Sequence, residues 1–196
     1  MRRVGDRRSM LRGVPAHVSG QANVAAISNV RAMSAGACLP GIAPEARLKQ
    51  LGIVLPPAWI DKPNRVRALR SGIHVHMSGH GPIEPLTDTP VITGKLGREL
   101  NEAQGAVAAR ETGLYILGTL KGCIGSLDRV VRVVHSIGFI NCAPGFNTPS
   151  LVLNGFSDLM VEVFGEIGRH TRSAIGVAEL YRDIPVEIEA LFEVRD

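Results

Sequence analysis

Four groups of residues in this 196-residue chain could do chemistry: Arg172-Ser173, Glu187, the loop Ser78-Gly79-His80-Gly81-Pro82, and the pair His74 and His76. An arginine guanidinium is planar and permanently charged. Its fork of N–H donors suits bidentate capture of a carboxylate in a way that lysine does not. Taken alone, an arginine at the start of a strand equally makes a surface ion pair. Glu187 shares an alternating pattern with Glu189 and Glu193. A carboxylate there serves as a general base if burial adjusts its pKa, or forms part of a solvated strand face. His74 and His76 put two imidazoles on one face of a strand, and three histidines can hold a transition metal. No carboxylate or further histidine follows at a suitable spacing, so no metal is expected. Gly94-Lys95 lacks the glycine spacing of a phosphate loop, and neither a G-x-S-x-G elbow nor a dinucleotide fingerprint occurs. No cofactor is expected either.

The elements that must position these residues lie in residues 45–196. Glu45 to Gly52 reads as a short amphipathic helix with Leu48 and Leu51 on one face. Pro56-Pro57 then forces extended backbone. Val66 to Leu69, the turn at Ser71-Gly72, and Ile73 to Met77 carry a hairpin signal. Residues 79–97 read as a long loop with a short strand at Pro90–Thr93. Leu100, Ala103, Val107, Leu114, Leu117, Leu120 and Ile124 recur at helical steps, with one gap at Arg110, and predict a helix ended by Gly125. A valine-rich strand spans Arg129 to Ile140. A second helix, from Ser150 to Glu166, buries Val152, Phe156, Leu159, Val163 and Phe164. Two strands close the chain, Arg172–Glu179 and Pro185–Val194, the latter alternating apart from Leu191. The order β-β-(β)-α-β-α-β-β predicts an α+β domain whose two helices cover one face of a mixed sheet. Strands so apolar on both sides predict that the other face packs on identical chains.

Composition narrows the function classes. The formal charge of +4 sits in the leader: residues 1–44 hold six arginines and one acid, Asp6, while the remainder has 16 basic and 17 acidic groups. The domain has no global field for phosphate backbones, and 4% aromatic content supplies few stacking surfaces for nucleic acid. No membrane partner is expected, since no apolar stretch is long enough to span one. Residues 1–44 read either as an Arg- and Ser-rich transit peptide or as a disordered or extended start with Met33 as the true initiator. Cys38, Cys123 and Cys142 show no metal or disulfide spacing and are expected to be free thiols, with Cys123 and Cys142 buried. That fits a cytoplasmic location, or an organellar matrix if the leader is a transit peptide.

Four tracts carry a resemblance: Met77–Ile83, Gly118–Val134, Asn154–Leu180 with its R-S-x-x-x-V-x-x-L, and Pro185–Val194 with V-E-I-E-A. Over residues 45–194 the chain resembles the Rid/YjgF family of enamine and imine deaminases, closest to its endoribonuclease L-PSP-like subgroup. The resemblance implies a fold like the trimeric, bacillus-type chorismate mutase, a homotrimer with clefts between subunits, and cofactor-free hydrolysis of 2-aminoacrylate-type enamines and imines to 2-oxo acids and ammonia. It implies that Arg172 binds the substrate carboxylate with Ser173 beside it and that Glu187 orients the attacking water. Ser78, Gly79 and His80 would line the cleft, with His80 where glutamine is usual, and Asn154 would shape the pocket. Ala174 stands where many members carry cysteine, so no thiolate role is implied. A non-catalytic trimeric protein that binds small carboxylates is the alternative. A ribonuclease or translation-inhibitor activity, which follows the subgroup's name, is the weaker one.

Overall fold

The alternating C-terminal segment is the centre of the sheet. A computed structural model describes residues 41–196; residues 1–40 of the proposed leader, with Met33 and Cys38, lie outside the described residues. The elements are α1 (Pro44–Leu51), β1 (Ala68–Ser71), β2 (His74–His80), β3 (Ile83–Glu84), β4 (Thr89–Pro90), α2 (Glu102–Ile124), β5 (Val130–Asn141), α3 (Pro149–Phe164), β6 (Thr171–Val177) and β7 (Val186–Val194). Five strands form one sheet in the order β1-β2-β7-β5-β6, with β5 and β6 parallel and the other pairs antiparallel. The expected α+β architecture is the one observed. The long loop is shorter than expected, because β2 runs on to His80 and β3 pairs with β4 as a separate two-stranded ribbon.

In β7 the residues Val186, Ile188, Ala190, Phe192 and Val194 are all buried, and Glu187, Glu189, Leu191 and Glu193 are not. The buried row faces α2 and α3. A capping box starts α2: Asn101 Oδ1 accepts from the Gln104 amide and Gln104 Oε1 from the Asn101 amide, both at 2.9 Å, satisfying two otherwise orphaned donors. Pro149 opens α3 at a position where its missing N–H is not needed.

The buried stripe of α2 differs from the one its large residues predict. Ala103 is exposed and Val107 and Leu114 are half-buried, whereas Gly105, Ala108, Ala109, Thr112 and Gly113 are buried. Small residues win because α3 runs very close there. A Cβ on Gly155 of α3 would strike the Ala106 carbonyl, and one on Gly105 would strike Leu96 and Val152. The gap at Arg110 is filled by an ion pair with Glu162 of α3 at 2.6 Å. Cys142 is half-buried, but Cys123 is exposed: it lies on the outer side of α2, so its expected burial is corrected. Among the described residues no helix is long and apolar enough to cross a membrane.

The sheet face away from the helices carries Leu69 and Ile175, both exposed, with half-buried Ile137, Phe139 and Leu191 between them. In register, β2, β7 and β5 align His76, Leu191 and His135 across this face.

Candidate active site

Arg172 sits near the start of the edge strand β6. It aligns with Ser136 of β5, which pairs with Ala190 of β7; both partners are buried. Aligned residues project to one side of a sheet, so Arg172 leaves on the helix side. The adjoining edge of α3 meets it with three polar residues. Arg172 Nη1 donates to Ser157 Oγ at 2.8 Å; Nη2 donates to Asn154 Oδ1 at 2.7 Å and to the Ser150 carbonyl and hydroxyl at 3.1 and 3.2 Å. All these acceptors are neutral. Among the described residues Arg172 has no ion-pair partner, so its charge is fixed in place and uncompensated. Beside it, His170 Nε2 lies 3.4 Å from Ser157 Oγ, and burial, with a smaller push from the Arg172 charge, lowers the imidazole's pKa.

Glu187 is on the other face. It pairs with Phe139 of β5, which pairs with Ile175 of β6. Its carboxylate lies against the backbone of Gly79 so closely that a Cβ there would overlap it. A side chain at 79 would displace the Glu187 carboxylate from this seat. Among the described residues the carboxylate accepts no hydrogen bond and forms no ion pair. Burial raises its pKa above the usual carboxylate value, and the nearby Arg67 partly offsets this.

The Ser78-Gly79-His80 loop owes its shape to a bulge. Met77 pairs with Ala190 and His80 with Ile188, so Ser78 and Gly79 are crowded opposite one residue of β7. The bulge turns His80 inward, where it is fully buried. His80 Nδ1 lies 2.6 Å from the Ser78 carbonyl and must be the donor; Nε2, 3.2 Å from Thr119 Oγ1, is then the acceptor. Burial lowers its pKa to about 4, so the ring is neutral near pH 7. It clamps the loop rather than supplying charge. Arg67, just before β1, clamps it from the other side. Its Nη1 donates to the Gly79 carbonyl at 2.5 Å, and its guanidinium carbon is 4.1 Å from the centroid of the Trp59 ring.

Thus Arg172, Asn154 and Ser157 form one group and Glu187, Gly79, Ser78 and Arg67 another, separated by the sheet. Ser173, next to Arg172, points to the Glu187 face, since it aligns with Ile137 and Glu189, and is exposed. The histidine trio does not assemble: His76 is exposed while His80 is buried. Among the described residues no group of three His, Cys, Asp or Glu side chains is placed to hold a metal. A groove of about 610 Å³ between α1, α2 and residues 52–58 contains none of these residues.

No family model matches the sequence. The chain is 41% identical over 152 residues to Protein TCP17 of Trypanosoma cruzi, covering 77% of this chain and 94% of the relative. Among solved structures it is similar to Atu1372 of Agrobacterium tumefaciens, a protein of unknown function, at 36% identity and a TM-score of 0.70, covering 78% of this chain and 94% of that one. It is also similar to a "putative endoribonuclease" of Shewanella oneidensis MR-1, at 27% identity and a TM-score of 0.72, covering 78% and 100%. The chain belongs to the Rid/YjgF family.

Within this Rid/YjgF chain, Ala174 lies on the same face as Arg172 and packs against the core. The strand position two residues after Arg172 thus carries a methyl group and no thiol. Sequence reasoning passed over Arg67, Trp59 and Thr119. The available signal was Trp59, the only tryptophan in a chain with few aromatics; nothing in the arginine-rich run from Arg65 to Arg70 distinguishes Arg67.

Proposed function

We propose that this protein hydrolyses small 2-imino acids, the tautomers of 2-aminoacrylate-type enamines, to 2-oxo acids and ammonia without a cofactor. The observation that carries the reading is Arg172: a guanidinium braced by Ser150, Asn154 and Ser157, with no anionic partner among the described residues. Such a fork takes a carboxylate through two parallel charge-assisted hydrogen bonds. Glu187 is suited to the second task. A half-buried carboxylate with a raised pKa and free lone pairs can accept a proton from water as the oxygen attacks the C=N carbon. The proton then passes to nitrogen, the C–N bond of the tetrahedral intermediate breaks, and ammonia leaves as the C=O bond forms.

Because the two groups occupy opposite faces of one sheet, a single pocket needs Arg172 from one chain and Glu187 from another. The apolar face around Ile137, Phe139, Ile175 and Leu191 supports that association, and a homotrimer is the assembly we assign, in the cytoplasm or an organellar matrix. The same anchor would serve a protein that only binds carboxylates, and turnover separates the two. Purified protein is added to 2-iminopropanoate generated in situ and imine loss is followed, with Arg172→Ala as control. Accelerated loss that disappears in the variant is expected; loss at the uncatalysed rate ends the enzymatic reading.

A further inference from the structure

Beside Glu187 lies a cation whose hydrogen-bonding capacity the fold uses only in part. Arg67 is only 8% exposed, yet among the described residues its guanidinium meets no carboxylate within ion-pair distance. Its one hydrogen bond is to the Gly79 carbonyl, and that carbonyl belongs to the residue on which the Glu187 carboxylate rests. A buried charge normally has a counterion or a full set of hydrogen bonds. Among the described residues Nε and Nη2 have neither, and neither atom is fully buried.

Two neighbouring donors are in the same condition. The Ser78 hydroxyl, on the residue whose amide donates to the Arg67 carbonyl, is buried without a partner, as is Nε1 of Trp59, the ring under the guanidinium. Native interiors leave few such groups, and each calls for an explanation. Apart from the Glu187 carboxylate, the unmatched groups here can all donate a hydrogen bond, and one is a cation. Glu187, the nearby anion, stands too far off to pair with Arg67.

We infer that Arg67, with Ser78, forms a second anion subsite beside Glu187, so that the preferred substrates are 2-imino dicarboxylates rather than imino acids with neutral side chains. The inference rests on the proposed hydrolysis for the placement of the rest of the ligand. One carboxylate goes to Arg172, the imine carbon lies at Glu187, and the remaining substituent reaches Arg67.

The test uses native protein and two product-like ligands of equal chain length, 2-oxoglutarate and 2-oxopentanoate, titrated by calorimetry. We expect 2-oxoglutarate to bind about ten- to a hundredfold more tightly, the scale of hydrogen bonds to a charged group. Arg67→Met, which keeps the stem over Trp59, should erase the preference; the ratio of the two affinities, taken within the same variant, cancels any loss both ligands share from the loosened Ser78-Gly79-His80 loop. Equal binding of the two ligands by native protein, binding of neither, or a preference that persists in Arg67→Met overturns the subsite. If Arg67→Met does not fold, Ser78→Ala replaces it and should reduce the preference; an unchanged preference then overturns the subsite. Turnover of imines without discrimination would sink the subsite alone, whereas dicarboxylate preference without turnover would sink the hydrolase reading alone.

Discussion

Arg172 and Glu187 leave the same sheet through opposite faces. Arg172 shares its side with Ser136, Ala174 and Ala190, Glu187 with Phe139, Ile175 and Glu189. Among the described residues the arginine has neutral braces and no counterion, and the glutamate a tight seat on Gly79 and no donor. The sheet therefore separates this carboxylate from the guanidinium of the same chain, so the two do not pair.

Arg172→Ala should lower kcat/KM on 2-iminopropanoate by about a hundredfold or more, given what a bidentate charge-assisted pair contributes. Arg172→Lys should recover little of this, because an ammonium cannot reproduce the fork. The melting temperature should move little, since the side chain sits at a sheet edge and its acceptors remain reachable by water. Steady-state kinetics and a thermal melt check both statements.

The pH profile should report Glu187. Burial favours its neutral form, so activity that needs the carboxylate rises with pH through a value above the ordinary 4.5. Arg67 stabilises the carboxylate, so Arg67→Met should move the acidic limb of kcat/KM to still higher pH. A limb that stays put would detach Arg67 from the base.

His80 should make the fold acid-sensitive. Its pKa is lowered from 6.5 to about 4 by burial, so between these values the unfolded chain binds the proton and the folded chain does not. Stability is then full above pH 6.5 and falls as pH drops towards 4, by roughly 3 kcal/mol at about 1.4 kcal/mol per pKa unit. Glu187, with a raised pKa, works in the opposite sense at the acid end. Denaturant titrations of native protein and His80→Gln at pH 7 and pH 4.5 isolate the histidine; the variant should lose less stability on acidification.

The fold was legible because the strongest signals in the chain are periodic. The alternation of Val186 to Val194 gave the central strand, and the run from Val152 to Phe164 gave a helix whose every named apolar residue is buried. The face of α2 was misread because glycine and alanine carry little hydrophobic signal, though close packing selects them. Arg172, Asn154, Ser78 and Glu187 stand out in the sequence through their motif contexts. That they fall on two faces does not, because facing depends on register between strands distant in sequence. Arg67 was invisible for a related reason: its role comes from Trp59 and Gly79, which only the fold brings to it.

Gly155→Ala tests that close packing. The new methyl would collide with the Ala106 backbone carbonyl, which cannot swing aside as a side chain could. Overpacking of this kind typically costs about 1–3 kcal/mol and more when backbone must move. We expect destabilisation of at least about 3 kcal/mol by urea titration, although alanine is the better helix former at an exposed site by about 1 kcal/mol. An unchanged midpoint would show that α2 and α3 can separate at this point.

A site divided between faces makes a stringent prediction about mixtures. If Arg172 of one chain serves Glu187 of another, Arg172→Ala and Glu187→Gln homo-oligomers should each be nearly inactive. Unfolded together and refolded as mixed oligomers, some interfaces will pair an intact Arg172 with an intact Glu187. In a trimer with equal random mixing, each cleft draws its arginine and its glutamate from different chains, so about a quarter of all clefts are restored on simple statistics of closed rings. Activity should rise towards that fraction of native and depend on the mixing ratio, with a maximum near equal amounts. A site contained in one chain gives no recovery at any ratio, because no chain in the mixture carries both residues.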